Sequence, residues 1–116
     1  MIYRLLVGTY KDVVATLEFE LSESCIQPSR IKCTHVLTVG QHPSWLTRHP
    51  TDKSLIFTAL EQKDGQLLAL RYDLKTGKGS IISDISSGGA DPCTIVATGR
   101  QVVVGNVSSS VSSVIS

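Results

Sequence analysis

At 116 residues the chain is at most one ordinary domain, with room for a core of limited size. Hydrophobic residues make up 41% and charged residues 18%, the balance of a globular chain rather than a disordered one. The net charge of +1, with no basic stripe, argues against binding to nucleic acid.

The first residues, MIYRLLVGTYKDVV, hold one early Arg and no apolar core ahead of a cleavage site, so they do not read as a signal peptide. No run approaches the roughly 18 apolar residues of a membrane-spanning helix. Cys25, Cys33 and Cys93 are odd in number and lack C-x-x-C spacing, which predicts free thiols in a reducing cytosol. Asn106-Val107-Ser108 matches a glycosylation sequon, empty without export. A cytoplasmic protein with no membrane or nucleic-acid partner is the expectation.

In chain order, Tyr3 to Tyr10 is an apolar strand broken by Gly8. Val13 to Leu21 alternates, with Val13, Ala15, Leu17, Phe19 and Leu21 on one face and Thr16, Glu18 and Glu20 on the other, as in a half-buried strand. Ser22 to Arg30 is a polar loop. Ile31 to Val39 alternates again, with Ile31, Cys33, His35, Leu37 and Val39 on one side. His42 to Thr47 enters a short strand. His49-Pro50-Thr51-Asp52-Lys53-Ser54 is turn chemistry, because proline fixes φ and Asp and Ser bond their own backbone. Leu55 to Leu60 is a continuous apolar run bounded by turns, which predicts a strand buried on both faces. Asp64-Gly65 supplies a hairpin connection. Gln66 to Leu74 then alternates, with Leu68, Leu70, Tyr72 and Leu74 on one face. Ser80 to Ile85, Cys93 to Ala97, Gln101 to Asn106 and Val111 to Ile115 complete the strands. No amphipathic helix is visible, so the fold class is all-β.

Three segments repeat: LLVGTYKDVVATLEFEL from Leu5, LIFTALEQKDGQLLALRYDL from Leu55 and VVVGNVSSSVSSVIS from Val102. Each is an apolar strand, a polar turn and a second strand. The starts lie 55 − 5 = 50 and 102 − 55 = 47 positions apart, the period of a β-propeller blade of about four strands. An evenly stranded β-sandwich is the alternative on periodicity alone.

The stretch HPSWLTRHP followed by LIFTALE resembles the lactonase-type seven-bladed β-propellers, the 6-phosphogluconolactonase and carboxymuconate-cyclising group. Gly8-Thr9-Tyr10 is similar to that family's opening G-T-Y. Gly88-Gly89-Ala90-Asp91-Pro92-Cys93 with Gly105-Asn106 is similar to its G-G-x-x-P-x-H … x-N-Y segment. The resemblance implies β-propeller blades, about two and a half of seven, at residues 1–41, 42–87 and, incomplete, 88–116. The first blade would lack its inner strand. A fragment or truncated product of a longer chain is therefore expected, inactive alone and able to self-associate through open blade edges.

The resemblance also implies an activity. The full-length form would hydrolyse a sugar lactone such as 6-phosphogluconolactone, with no metal and no organic cofactor. A carboxymuconate-lactone cyclase or isomerase is the enzymatic alternative, and a non-catalytic propeller scaffold or binding module the alternative of another class. Glu61, at the end of the apolar run, is the candidate catalytic base. Asn106, placed at the equivalent position of the next blade, and Thr9 and Tyr10, in the first, are candidate substrate-binding residues. Thr94 departs from the family, which often has His there, and threonine does not titrate near neutrality. His42 and His49 flank the inner strand at a spacing that forms no metal site, and read as turn or packing residues. Trp45 reads as packing between blades, and Cys93 as a buried thiol.

Overall fold

A computed structural model describes residues 1–116 as ten strands with no helix. The strands are β1 (Ile2–Val7), β2 (Val13–Glu20), β3 (Arg30–Thr38), β4 (Pro43–Arg48), β5 (Leu55–Leu60), β6 (Gln66–Tyr72), β7 (Gly79–Ser86), β8 (Pro92–Ala97), β9 (Val102–Asn106) and β10 (Val111–Ile115). They form three antiparallel sheets, in the orders β1-β2-β3, β4-β5-β6-β7 and β8-β9-β10. These are the blades the sequence predicts: one complete four-stranded blade between two of three strands.

The blades stack face to face, and the middle one is apolar on both sides. Ile56 and Leu60 of β5, with Leu68, Leu70 and Tyr72 of β6, meet Val14 and Val39 of the first blade. Ala59 and Leu67, from the opposite face of the same two strands, meet Ile95, Val102 and Val104 of the third blade. The continuous apolar run at Leu55–Leu60 thus has a partner on each side. Leu60, Leu68 and Leu70 are almost fully buried, and such side chains contribute about 1.5–3 kcal/mol each.

Only 20 of 116 residues are buried, and the radius of gyration is 15.5 Å, against about 13 Å for a compact chain of this length. The excess follows from blades set in a row, with the outer face of each end blade uncovered.

The first blade differs from the alternation read in the sequence. The fully buried residues of β2 are Val14 and Thr16, not the Val13-to-Phe19 series. Register puts Tyr3, Leu5 and Val7 beside Phe19, Leu17 and Ala15, on the uncovered face. Thr16 is accommodated because its hydroxyl donates to the Gly77 carbonyl at 2.9 Å. In β3 a bulge at Thr34 changes the phase of the strand: Cys33 pairs with Leu17, whereas His35 pairs with Thr16. Ile31 and Cys33 are therefore exposed on one face, while Val39 is buried on the other. Trp45 is also not core. It is 42% exposed, and its indole N–H donates to Thr47 Oγ1 at 2.9 Å.

Two details, one in the core and one in a turn, give predictions. The Tyr72 hydroxyl is buried with no hydrogen-bond partner, and burial raises its pKa from 10.0 to about 12. Tyr72→Phe removes an unsatisfied polar group, so stability should be unchanged or rise by about 1 kcal/mol in urea unfolding, whereas a loss of that size would show a hidden partner. In the β4–β5 turn, Asp52 accepts from the Ser54 hydroxyl at 2.7 Å and the Arg71 guanidinium at 2.6 Å, which lowers its pKa from 3.8 to about 2. A depressed folded value stabilises above the unfolded one, and that contribution disappears as pH falls toward 2. Between pH 4 and 2 the urea midpoint should drop less steeply in Asp52→Asn than in wild type.

Candidate functional site

The site grows out of one backbone arrangement repeated at the start of β4 and of β8. His42 and Asp91 each precede the proline that opens an inner strand, and each has left-handed backbone, with φ of 57° and 52°. A residue before proline is normally driven to extended conformations, and a non-glycine residue in the left-handed region is strained. Hydrogen bonds hold both. The His42 N–H donates to the Lys11 carbonyl of the preceding blade, and Asp91 N–H to that of Gln62, both at 2.8 Å. The His42 carbonyl accepts from Glu61 N–H at 3.0 Å, and the Asp91 carbonyl from Val107 N–H at 3.1 Å. The chain is thereby stitched both to the previous blade and to the second strand of its own.

A bulge follows each stitch. Ladder partners run Pro43 with Leu60 and Trp45 with Ala59, skipping Ser44; they run Pro92 with Asn106 and Thr94 with Gly105, skipping Cys93. An extra residue in one strand re-aims its side chain. Ser44 uses this to donate its hydroxyl to Glu61 Oε2 at 2.6 Å.

Tyr10, on the turn after β1, reaches the same place from the first blade. The nearby Glu61 carboxylate, as an acceptor for the phenol and then as a negative charge, holds it above its ordinary pKa of 10.0. Ser44 and Cys93 also lie close enough to the phenol to influence it. The His42 ring sits edge-on to Tyr10, with centroids 5.6 Å apart, and its Nδ1 lies 3.0 Å from the Glu61 carbonyl. Tyr10, His42, Ser44 and Glu61 thus form one cluster from two blades, with Cys93 of the third beside it.

The predicted residues divide. Glu61 and Tyr10 come together. Thr9 lies next to Tyr10, but its hydroxyl donates to the Val13 carbonyl at 2.7 Å and its N–H to the Pro43 carbonyl at 3.1 Å. Asn106 is not the counterpart of Glu61. The stitches and the ladder pair Glu61 with Val107, and Leu60 with Asn106. Accordingly Asn106 is only 2% exposed, and its amide is engaged by the Ser87 hydroxyl at 2.7 Å and by the carbonyls of Ser87 and Val111 at 3.1 and 3.0 Å. The expected equivalence fails by one residue because Gly105-Asn106 belongs to the ladder, while Glu61 has just left it.

Sequence reasoning missed His42 and Ser44 as members of the cluster. The signal was present in the paired His-Pro-Ser and Asp-Pro-Cys triplets, but the bulge that turns Ser44 toward Glu61 is not a sequence pattern. Apart from the cluster, a cavity of about 250 Å³ separates blades two and three, lined by Phe57, Leu67 and Val102 with His49 and Arg100. No three His, Cys, Asp or Glu residues are grouped as metal ligands.

A model of the seven-bladed β-propeller lactonases matches residues 4–116. Among solved structures, the chain is similar to a candidate 6-phosphogluconolactonase from Bacteroides uniformis, with 24% identity, a TM-score of 0.78, and coverage of 94% of this chain and 32% of the other. It is also similar to one from Bacteroides fragilis, with 24% identity, a TM-score of 0.72, and coverage of 87% and 28%. At that identity the likeness carries the fold alone. The chain spans about a third of the length of either structure. No curated protein matches it at a significant level.

If the Glu61 carboxylate is what holds the Tyr10 phenol above its ordinary pKa, Glu61→Gln should bring that titration down toward 10. Phenol carbon NMR across alkaline pH resolves this, with Tyr3 as an internal comparison.

Proposed function

Because the chain belongs to the lactonase family of seven-bladed β-propellers, we propose that the closed propeller built on these blades hydrolyses a sugar lactone of the 6-phosphogluconolactone class, in the cytosol. The observation that carries this reading is the Glu61 carboxylate, with the Ser44 hydroxyl on Oε2 and the Tyr10 phenol against it. The three free cysteines agree with a reducing compartment. No helix is long and apolar enough to cross a membrane.

Hydrolysis needs a base for water and donors for the oxyanion. Glu61 takes a proton from water as the water oxygen bonds to the lactone carbonyl carbon. The carbonyl electron pair moves to oxygen, giving a tetrahedral oxyanion. Collapse restores the carbonyl and breaks the bond to the ring oxygen, which takes the proton back from Glu61. Water and lactone are consumed, the hydroxy acid is formed, and the carboxylate is regenerated. Ser44 orients Glu61. Tyr10, held above its ordinary pKa, stays protonated at neutral pH and is the donor beside that carboxylate.

The remaining walls of such a site come from blades outside these 116 residues. The face of Tyr3, Leu5 and Ile31, exposed by 44%, 42% and 60%, is where a further blade would pack. A non-catalytic binding propeller is the second reading, favoured by Thr94 in the place of a family His and by Val107 at the position in blade three that Glu61 holds in blade two.

In a full-length protein carrying this chain, Glu61→Gln should lower lactone turnover at least about tenfold, a loss of about 1.4 kcal/mol of transition-state stabilisation. The 116-residue chain alone should show no hydrolysis above its Glu61→Gln control. Unchanged turnover in the full-length variant would remove Glu61 from the reaction.

A further inference from the structure

We propose that His42 is a positioning residue for Glu61, its imidazole clamping the Glu61 backbone so that the carboxylate is aimed into the reaction. The inference rests on the reading of Glu61 as the base.

The argument begins with the two strained residues. Asp91 has the same left-handed backbone and the same pair of main-chain bonds as His42, so the conformation belongs to the blade and does not require a histidine. The side chains differ. Asp91 accepts from the Ser108 hydroxyl within its own blade. His42 instead places Nδ1 at 3.0 Å from the Glu61 carbonyl oxygen. A carbonyl only accepts, so Nδ1 is the donor and Nε2 is the bare nitrogen of the neutral ring.

That bond has a companion. The Glu61 N–H donates to the His42 carbonyl at 3.0 Å, so the amide and the carbonyl of Glu61 are both tied to one residue. Fixing both peptide groups fixes the direction of the Glu61 Cα–Cβ bond and hence where the carboxylate starts. The same ring supports Tyr10 edge-on at 5.6 Å, across the boundary between blades. One half-buried imidazole therefore sets the carboxylate and the phenol relative to each other.

The test compares kcat and KM of a full-length protein carrying this chain with those of its His42→Asn and His42→Ala variants. Asn tolerates the left-handed backbone and brings an amide donor for the Glu61 carbonyl. His42→Asn should keep both KM and kcat within about threefold, because its amide restores the donor to the Glu61 carbonyl. His42→Ala should lower kcat by about three- to tenfold with KM little changed. A kcat that falls as far in His42→Asn as in His42→Ala, or Ala indistinguishable from wild type, overturns the proposal. A ¹⁵N imidazole spectrum of the same protein without substrate separates this from the parent reading. Protonated Nδ1 with bare Nε2 at high pH upholds the clamp even if no lactone is turned over, in which case only the lactonase reading falls. The opposite tautomer overturns the clamp whatever the activity.

Discussion

The constraint on which this structure depends is that β5 and β6 are apolar on both faces. A strand pair of that kind has no solvent side, so a sheet must lie against each face. Ile56, Leu60, Leu68 and Leu70 require the first blade, and Ala59 and Leu67 require the third. The three-blade row is the least that satisfies the middle sheet. The end blades inherit the problem that the middle one has solved, and their uncovered faces hold Tyr3, Ile31 and Val36 on one side and Val96 and Val114 on the other.

That stacking also creates the site. Blades packed side by side bring the end of one second strand against the start of the next inner strand. The main-chain stitch at His42 and Asp91 forms there, with N–H to the previous blade and carbonyl to its own. The bulges at Ser44 and Cys93 follow from the same entry geometry, because the strand has to turn into its ladder just past a fixed proline. The catalytic proposal therefore uses residues placed by the fold's own joint. In blade two the joint presents His42, Ser44 and Glu61, while in blade three the same positions hold Asp91, Cys93 and Val107. Two copies of one backbone device thus carry different chemistry: the position just past the second strand is the carboxylate Glu61 in the first and Val107 in the other.

The ten strands and the blade repeat were legible because apolar runs, alternation and turn residues are local signals. Leu55–Leu60 showed its two-sided burial in its own composition. Glu61 was legible as a strand-end carboxylate, and Tyr10 as its neighbour by repeat. Where alternation misled, the cause was non-local. The series Val13 to Phe19 has the pattern of a core face, but the face that meets blade two is the one with Val14 and Thr16, made tolerable by the Gly77 carbonyl supplied from 61 residues away. Asn106 looked like the partner of Glu61 because motif alignment counts residues, whereas the ladder counts hydrogen bonds, and the two differ by one.

What the sequence determined by itself was the kind of structure: β-strands of this length, in this order, repeating as blades, with a carboxylate at the end of the most apolar strand. What only the tertiary structure decided was which face of each end blade is covered, and which side chains meet at the joint. The bulges at Ser44, Cys93 and Thr34 each shift a strand's phase by one residue, and a one-residue shift sends every later side chain to the other face. No local pattern encodes that shift, because it is set by how two sheets fit together once the chain has folded back on itself.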